Sequence, residues 1–178
     1  MKKTDVRRLV LAALFLALAM VLPLLTGQIP EIGQALSPMH IPVLLCGFIC
    51  GPLYGAAVGF VSPLLRFAIF GMPPIFPTGV AMAFELLTYG AVSGILYKKL
   101  PRRVYNVYIA LIAAMLAGRV VWGVARLIIA GLGNSTFSWG MFMAGAFTTA
   151  VPGIICHIVL IPIIILALEK AGLIGKNS

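Results

Sequence analysis

The chain is divided into long apolar runs that leave little polar sequence between them. Hydrophobic residues make up 62% of its 178 residues and charged residues only 10%, whereas soluble domains average about 45–50% and about 25%. A chain of this kind has too little polar surface to cover a water-facing globule. We therefore predict a single all-α integral membrane domain over residues 1–178, with no room for a second domain.

Hydropathy separates six apolar segments, which we predict to be six transmembrane helices in one bundle. Five are long enough to cross a bilayer core of about 30 Å as helix. The second is not, and Pro42 and Pro52 lie near its ends, so we expect a short or irregular helix that is tilted, broken or partly re-entrant. The approximate spans are residues 7–25, 40–50, 52–70, 78–97, 104–132 and 139–168.

The basic residues are segregated to alternate connections. All but three of the 13 lie before or at the start of the first segment, between the fourth and fifth, or after the last, and the connections 26–39, 71–77 and 133–138 hold none. The positive-inside rule then places both termini in the cytoplasm, which agrees with six crossings. The net charge of +9 therefore indicates topology. We predict no nucleic-acid partner, because no basic cluster exceeds four residues or carries aromatic stacking partners.

Four charged residues interrupt the apolar segments: Arg66, Glu85, Arg119 and Arg126. Arg119 and Arg126 are seven residues apart and share one helical face with Trp122. We expect all four charges to converge on the outer half of the bundle. Glu85 can neutralise one arginine and another can reach the interface, which leaves at least one for a bound anion. Guanidinium groups suit a carboxylate or a phosphate. Neutralisation within the protein is the alternative.

Polar residues near these charges are weaker candidates. His40 can hydrogen-bond a ligand or cap a helix, and Asn134 in the last outer connection can contact a ligand or form an ordinary turn. His157, deep in the last segment, fits a packing hydrogen bond as well as a proton relay. We predict no metal site, because no set of zinc ligands is visible around the three cysteines.

Small residues recur at helical spacing in two places. Gly47, Gly51, Gly55 and Gly59 are four residues apart, a pattern that lets helices approach closely in lipid. Ala13 and Ala17 in the first segment are one turn apart, and their spacing alone favours packing within the bundle.

Together these features resemble the substrate-binding S component of an energy-coupling factor (ECF) transporter. The resemblance covers nearly the whole chain: its size, the basic residues that lead into "RLVLAALFLALAM", the long first outer connection and the run "MHIPVLLCGFICGPLYGAAVGF". It implies that Ala13 and Ala17 form the AxxxA motif that docks on a transmembrane coupling (T) subunit. It also implies two cytoplasmic ATPase partners and a vitamin-like solute held near the outer face.

The resemblance implies a transport subunit in the plasma membrane of a prokaryote, in contact with lipid, and not an enzyme. No cofactor is expected, since ATP is used by the partners and the chain has no phosphate-binding loop. The excess of arginine favours a carboxylate-bearing micronutrient, with pantothenate as the first candidate. We predict that Arg126, Arg119, Trp122, Glu85, Arg66, His40 and Asn134 bind it.

Three alternatives stay open from the residues. A flat heterocycle such as riboflavin or a queuosine precursor can stack on Trp122 while Glu85 reads its ring N–H groups. A solitary proton-coupled carrier can use Glu85 and His157 as a relay. A membrane-embedded enzyme is disfavoured, because the segments hold no carboxylate pair or metal set.

Overall fold

The computed structural model of the chain describes residues 3–26, 36–101, 103–132, 138–172 and 174, and within these ranges the chain forms helices and no strands. A short 3-10 turn follows the first helix at Leu22–Thr26, and irregular turns occupy Ile75–Gly79 and Ala144–Thr148. The helices are α1 (Lys3–Val21), α2 (His40–Cys50), α3 (Pro52–Phe70), α4 (Val80–Lys99), α5 (Val104–Leu132), α6 (Trp139–Met143) and α7 (Val151–Lys170).

The described part of the chain contains five stretches that are long and apolar enough to cross a membrane. These are Asp5–Leu24, Pro52–Phe70, Ile75–Lys99, Val104–Leu132 and Val151–Lys170. The all-helical class is thus confirmed for the described residues. Helix α2 has 11 residues, which confirms the prediction of a short second helix. Its first residue follows the turn that includes Pro38, and Gly51 at a φ of 98° separates it from α3.

The last predicted span, residues 139–168, is not one continuous helix. The structure divides it into α6, the turn Ala144–Thr148, and α7. Pro152 lies in the first turn of α7, where a residue without an N–H suits a helix start but cannot continue a helix that arrives from before it. The segment 139–168 is therefore helical in two parts that a π-helical turn joins.

The long helices bury small residues and turn large apolar side chains outward. In α5, Ala110 and Ala114 are buried, whereas Ile112, Leu116 and Val120 are exposed. In water the outward face of such a helix would be polar. An apolar outer surface around the bundle is what a lipid environment requires.

Helices α2, α3 and α4 pack backbone against backbone through glycine. A Cβ atom built on Gly90 of α4 would overlap the carbonyl of Gly55 in α3, and one on Gly59 would overlap the carbonyl of Leu86. Gly47 in α2 faces the carbonyl of Gly90 in the same way. The glycine spacing therefore marks close packing, as predicted, and it makes these three helices the tightest part of the bundle.

Candidate functional site

The side chains of His40, Glu85, Arg119 and His157 lie together near one end of the bundle. This end contains the starts of α2, α4 and α7, and the later half of α5 passes through it. The basic end of α4 lies opposite, where Lys98 approaches Gly51 in the turn between α2 and α3. The polar end is therefore separated from the basic end by the length of the helices.

Glu85 is the centre of this polar cluster and is only 1% exposed. Its Oε1 atom lies 3.0 Å from Nη1 of Arg119 in α5 and accepts a hydrogen bond of 3.0 Å from the hydroxyl of Tyr89. His40, at the start of α2, has its Nε2 atom 3.7 Å from the same oxygen. Three helices thus contribute to one buried carboxylate, and Arg119 supplies its counter-charge.

Local sequence explains how Arg119 reaches Glu85. Tyr89 is four residues after Glu85, so both side chains lie on one face of α4. The ring of Tyr89 occupies the space beside Gly118, where any Cβ atom would overlap it. The glycine before Arg119 therefore lets α5 approach α4 closely enough for the ion pair to form.

Two buried imidazoles extend the cluster to α7. The rings of His40 and His157 are stacked, with centroids 6.1 Å apart and planes inclined by 26°, and the two side chains are 4% and 3% exposed. The ring of His40 also meets that of Tyr89 edge-on at 5.3 Å. The sequence analysis did not include Tyr89 or His157 in the site. The signal for Tyr89 was its position one turn after Glu85, whereas no local signal linked His157 to His40.

An aromatic group lies further along α5, towards its end. The guanidinium carbon of Arg126 is 5.9 Å from the ring centroid of Trp122. Trp122 stacks on Phe142 at 6.2 Å, and Phe142 contacts Trp139 of α6 at 5.2 Å. Gly123 faces the ring of Phe142, where a side chain would overlap it. This group joins α5 to α6 and combines flat rings with a cation.

Arg66 has contacts near the ends of α1 and α3. Its Nη1 atom donates a 2.8 Å hydrogen bond to the carbonyl of Met20, and its guanidinium lies 4.9 Å from the ring centroid of Phe70. A backbone acceptor and an aromatic face therefore hold this guanidinium. The convergence of Arg66 with the other charges stays a prediction. Asn134 lies outside the described residues.

The small-residue pair of α1 is on the outside of the bundle. Ala13 and Ala17 are exposed, and Leu14 beside them is 52% exposed. The opposite face of α1 is buried through Phe15 and Ala19. Packing within the bundle, which the spacing alone favoured, does not explain this pair. The pair instead forms a smooth strip between larger apolar side chains.

The titratable side chains of the described residues include no candidate metal site. Among the residues that the structure describes, no three His, Cys, Asp or Glu side chains are grouped as metal ligands. The buried Cys46 and Cys50 are free thiols. At the opposite end of the bundle, the hydroxyl of Tyr97 donates a hydrogen bond to Glu169.

An apolar outer surface and five membrane-length helices indicate a multi-pass membrane protein, and a buried polar cluster lies in its interior. The family model of ECF transporter substrate-specific components matches residues 7–165. The chain belongs to this family. No curated protein and no solved structure gives a significant match.

Proposed function

We propose that the chain is the substrate-binding subunit of an ECF-type ABC importer for a water-soluble, carboxylate-bearing vitamin or related micronutrient, with pantothenate as the first candidate. The observation that supports this most strongly is the buried polar cluster near one end of the bundle, where Glu85 pairs with Arg119 beside two imidazoles. Buried ionisable groups inside a membrane protein mark solute sites more often than structural ones.

In this proposal the chain crosses the membrane six times and the polar end faces outward. Helix α2 is about 16 Å long at 1.5 Å per residue, so it crosses only with the help of the connection before it. Lys98 and Lys99 end α4, and Lys170 ends α7. Cytoplasmic placement of these residues and of both termini follows the positive-inside rule.

The contacts of the arginines support different roles for them in the proposed binding. Arg119 already faces the carboxylate of Glu85, so its charge is neutralised within the protein. Arg126 beside Trp122 combines a guanidinium fork with a ring face, an arrangement suited to a carboxylate next to a flat or apolar group. The carboxylate of the substrate therefore binds at Arg126 in this proposal.

A flat heterocycle such as riboflavin or a queuosine precursor is the second candidate. The stacked rings of Trp122 and Phe142 favour it, because an aromatic pair can open to receive a third ring. A ligand of this kind needs no carboxylate. The two candidates therefore differ in whether Arg126 or the ring of Trp122 provides most of the affinity.

ATP-driven delivery requires partners that bind the outside of the bundle. We propose that the exposed strip of Ala13 and Ala17 docks on a transmembrane T subunit, which couples the chain to two cytoplasmic ATPases in a prokaryotic plasma membrane. Small side chains allow another helix to approach closely in lipid.

Uptake into proteoliposomes tests this function against its rivals. Vesicles containing the chain with a T subunit and two ATPases should accumulate labelled pantothenate only with ATP, and vesicles with the chain alone should bind it without accumulation. Accumulation by the chain alone along a proton gradient would instead identify a solitary carrier. Chemical conversion of the compound would identify an enzyme.

A further inference from the structure

Three nitrogen atoms of the buried imidazole pair have no hydrogen-bond partner among the residues that the structure describes. They are both ring nitrogens of His40 and Nε2 of His157. The two side chains are more than nine-tenths buried. Buried polar atoms in folded proteins are nearly always paired. Nε2 of His40 faces the carboxylate of Glu85 at 3.7 Å, which leaves Nδ1 of His40 and Nε2 of His157 for a group that the described residues do not supply.

The surroundings determine which atoms of the rings accept and which donate. Nε2 of His40 lies 3.7 Å from the carboxylate oxygen of Glu85, so a neutral His40 has its proton on Nε2 and its Nδ1 is an acceptor. His157 hydrogen-bonds to the backbone of Ser37. Because Nε2 is the unpartnered atom, Nδ1 makes that bond and Nε2 is the second acceptor.

An anion is disfavoured beside Nδ1 of His40, Nε2 of His157 and the carboxylate of Glu85, because all three accept hydrogen bonds. A ligand carboxylate at this place would face Glu85 and would need both rings protonated, which adds buried charge. A group with O–H or N–H donors satisfies both nitrogens without any charge. Hydroxyl, amide and ring N–H groups belong to this class.

The second end of the ligand lies along α5. Arg119 pairs with Glu85 at the imidazole end of the site. Arg126 lies seven residues further along α5, or about 10 Å along the helix axis. The guanidinium carbon of Arg126 lies 5.9 Å from the ring centroid of Trp122, and its planar group suits a carboxylate. The site therefore offers neutral acceptors at one end and a guanidinium group at the other.

We propose that the substrate is an elongated molecule whose O–H or N–H donors bind Nδ1 of His40 and Nε2 of His157 while a carboxylate at its far end binds Arg126. This orientation rests on the proposed function, since it concerns the ligand of that same site. Pantothenate fits the class, with hydroxyls at one end, a carboxylate at the other and an amide between them.

Paired substitutions of His157 separate ligand contact from structure. His157→Asn places an amide near the position of Nδ1, so the bond to Ser37 is kept and the group at Nε2 is lost. His157→Gln places an amide near Nε2 instead. With the full chain in mild detergent and pantothenate as the probe, we expect Asn to weaken binding at least tenfold with an unchanged ligand-free Tm. The variant His157→Gln should retain more of the affinity for pantothenate than His157→Asn.

Panthenol, in which a CH2OH group replaces the carboxylate, tests the orientation. It should bind the wild-type chain more weakly than pantothenate, and Arg126→Gln should remove the difference between the two compounds. His157→Asn should weaken both compounds by the same factor. If His157→Asn lost the preference for pantothenate over panthenol as completely as Arg126→Gln does, the orientation would be overturned.

Ligand-free stability decides the inference even without a bound probe. His157→Asn keeps the bond to Ser37 and removes the unpartnered nitrogen, whereas His157→Gln does the reverse. Without ligand, the Asn variant should therefore have a Tm equal to that of the Gln variant or higher. A lower ligand-free Tm of the Asn variant, or unchanged pantothenate binding in it, would show that Nε2 of His157 is satisfied within the protein. If wild-type protein ignores pantothenate but the Asn variant has the higher ligand-free Tm, the proposed substrate fails and the donor-binding site stands.

Discussion

Arg119 and Glu85 form an ion pair between α5 and α4, with 3.0 Å between Nη1 and Oε1. The pair lies inside an apolar bundle, where either charge alone would be strongly disfavoured. It therefore neutralises two of the four charges in the apolar segments. It also fixes the position of the carboxylate to which Tyr89 donates a hydrogen bond.

Breaking this pair on one side should destabilise the protein more than removing both charges. Arg119→Met leaves a buried carboxylate without its counter-ion and should lower stability by about 3–5 kcal/mol. The double variant Arg119→Met/Glu85→Gln should recover most of that loss. Thermal unfolding in mild detergent measures both, and equal destabilisation by the single and double variants would show that the pair contributes nothing.

Substitution by glutamine should lower ligand affinity at Arg126 and thermal stability at Arg66. Arg126→Gln should weaken pantothenate binding by about 2–5 kcal/mol, because it leaves a ligand carboxylate without its cation. Arg66→Gln loses a bond to the carbonyl of Met20 and should lower the Tm while binding stays unchanged. Calorimetric titration and thermal unfolding on both variants check this. An equal loss of affinity in both would return Arg66 to the binding site.

Close packing of the central helices makes Gly90 intolerant of any side chain. Gly90→Ala places a methyl group against the carbonyl of Gly55 and should lower stability by about 1–3 kcal/mol through overpacking. Gly131→Ala is the matched control, since nothing lies within 4 Å of its Cβ position. That variant should be neutral or slightly stabilised by its better helix propensity. Similar Tm values for the two variants would contradict the packing.

Docking through α1 should fail when its exposed strip is filled. Ala13→Trp or Ala17→Trp adds bulk to an outward face, so ATP-driven uptake and co-purification with the T subunit should be lost while ligand binding is kept. Ile163→Trp is the control, because Ile163 is 58% exposed on α7, away from that strip. Normal uptake by the α1 variants would remove the docking assignment.

Much of the fold is visible in the sequence because its signals are local. Hydropathy gave the bounds of α2, α3 and α5, and the glycine and proline at 51 and 52 mark the boundary between the first two. The break before α7 was missed, although Pro152 was its signal. A proline near the start of a helix and a proline at a kink inside a helix give the same local sequence signal.

The candidate site was only partly predictable because its pairings are made by packing. Intramembrane charge singled out Glu85 and Arg119, but no local pattern states which arginine faces the carboxylate. His40 and His157 are more than a hundred residues apart in sequence, and their stacking exists only in the folded bundle. Arg66, like Arg119 and Arg126, is an arginine within an apolar helix. Its guanidinium nevertheless donates a hydrogen bond to the carbonyl of Met20.

The most direct test of a solute-binding subunit is mass spectrometry of the small molecules released when protein purified in mild detergent is denatured. The account predicts one compound in stoichiometric amount, with a carboxylate at one end and O–H or N–H donors at the other. Release of no compound, together with no rise in Tm when pantothenate, riboflavin or nicotinate is added, would contradict it. The polar cluster would then be a structural network that neutralises its own charges.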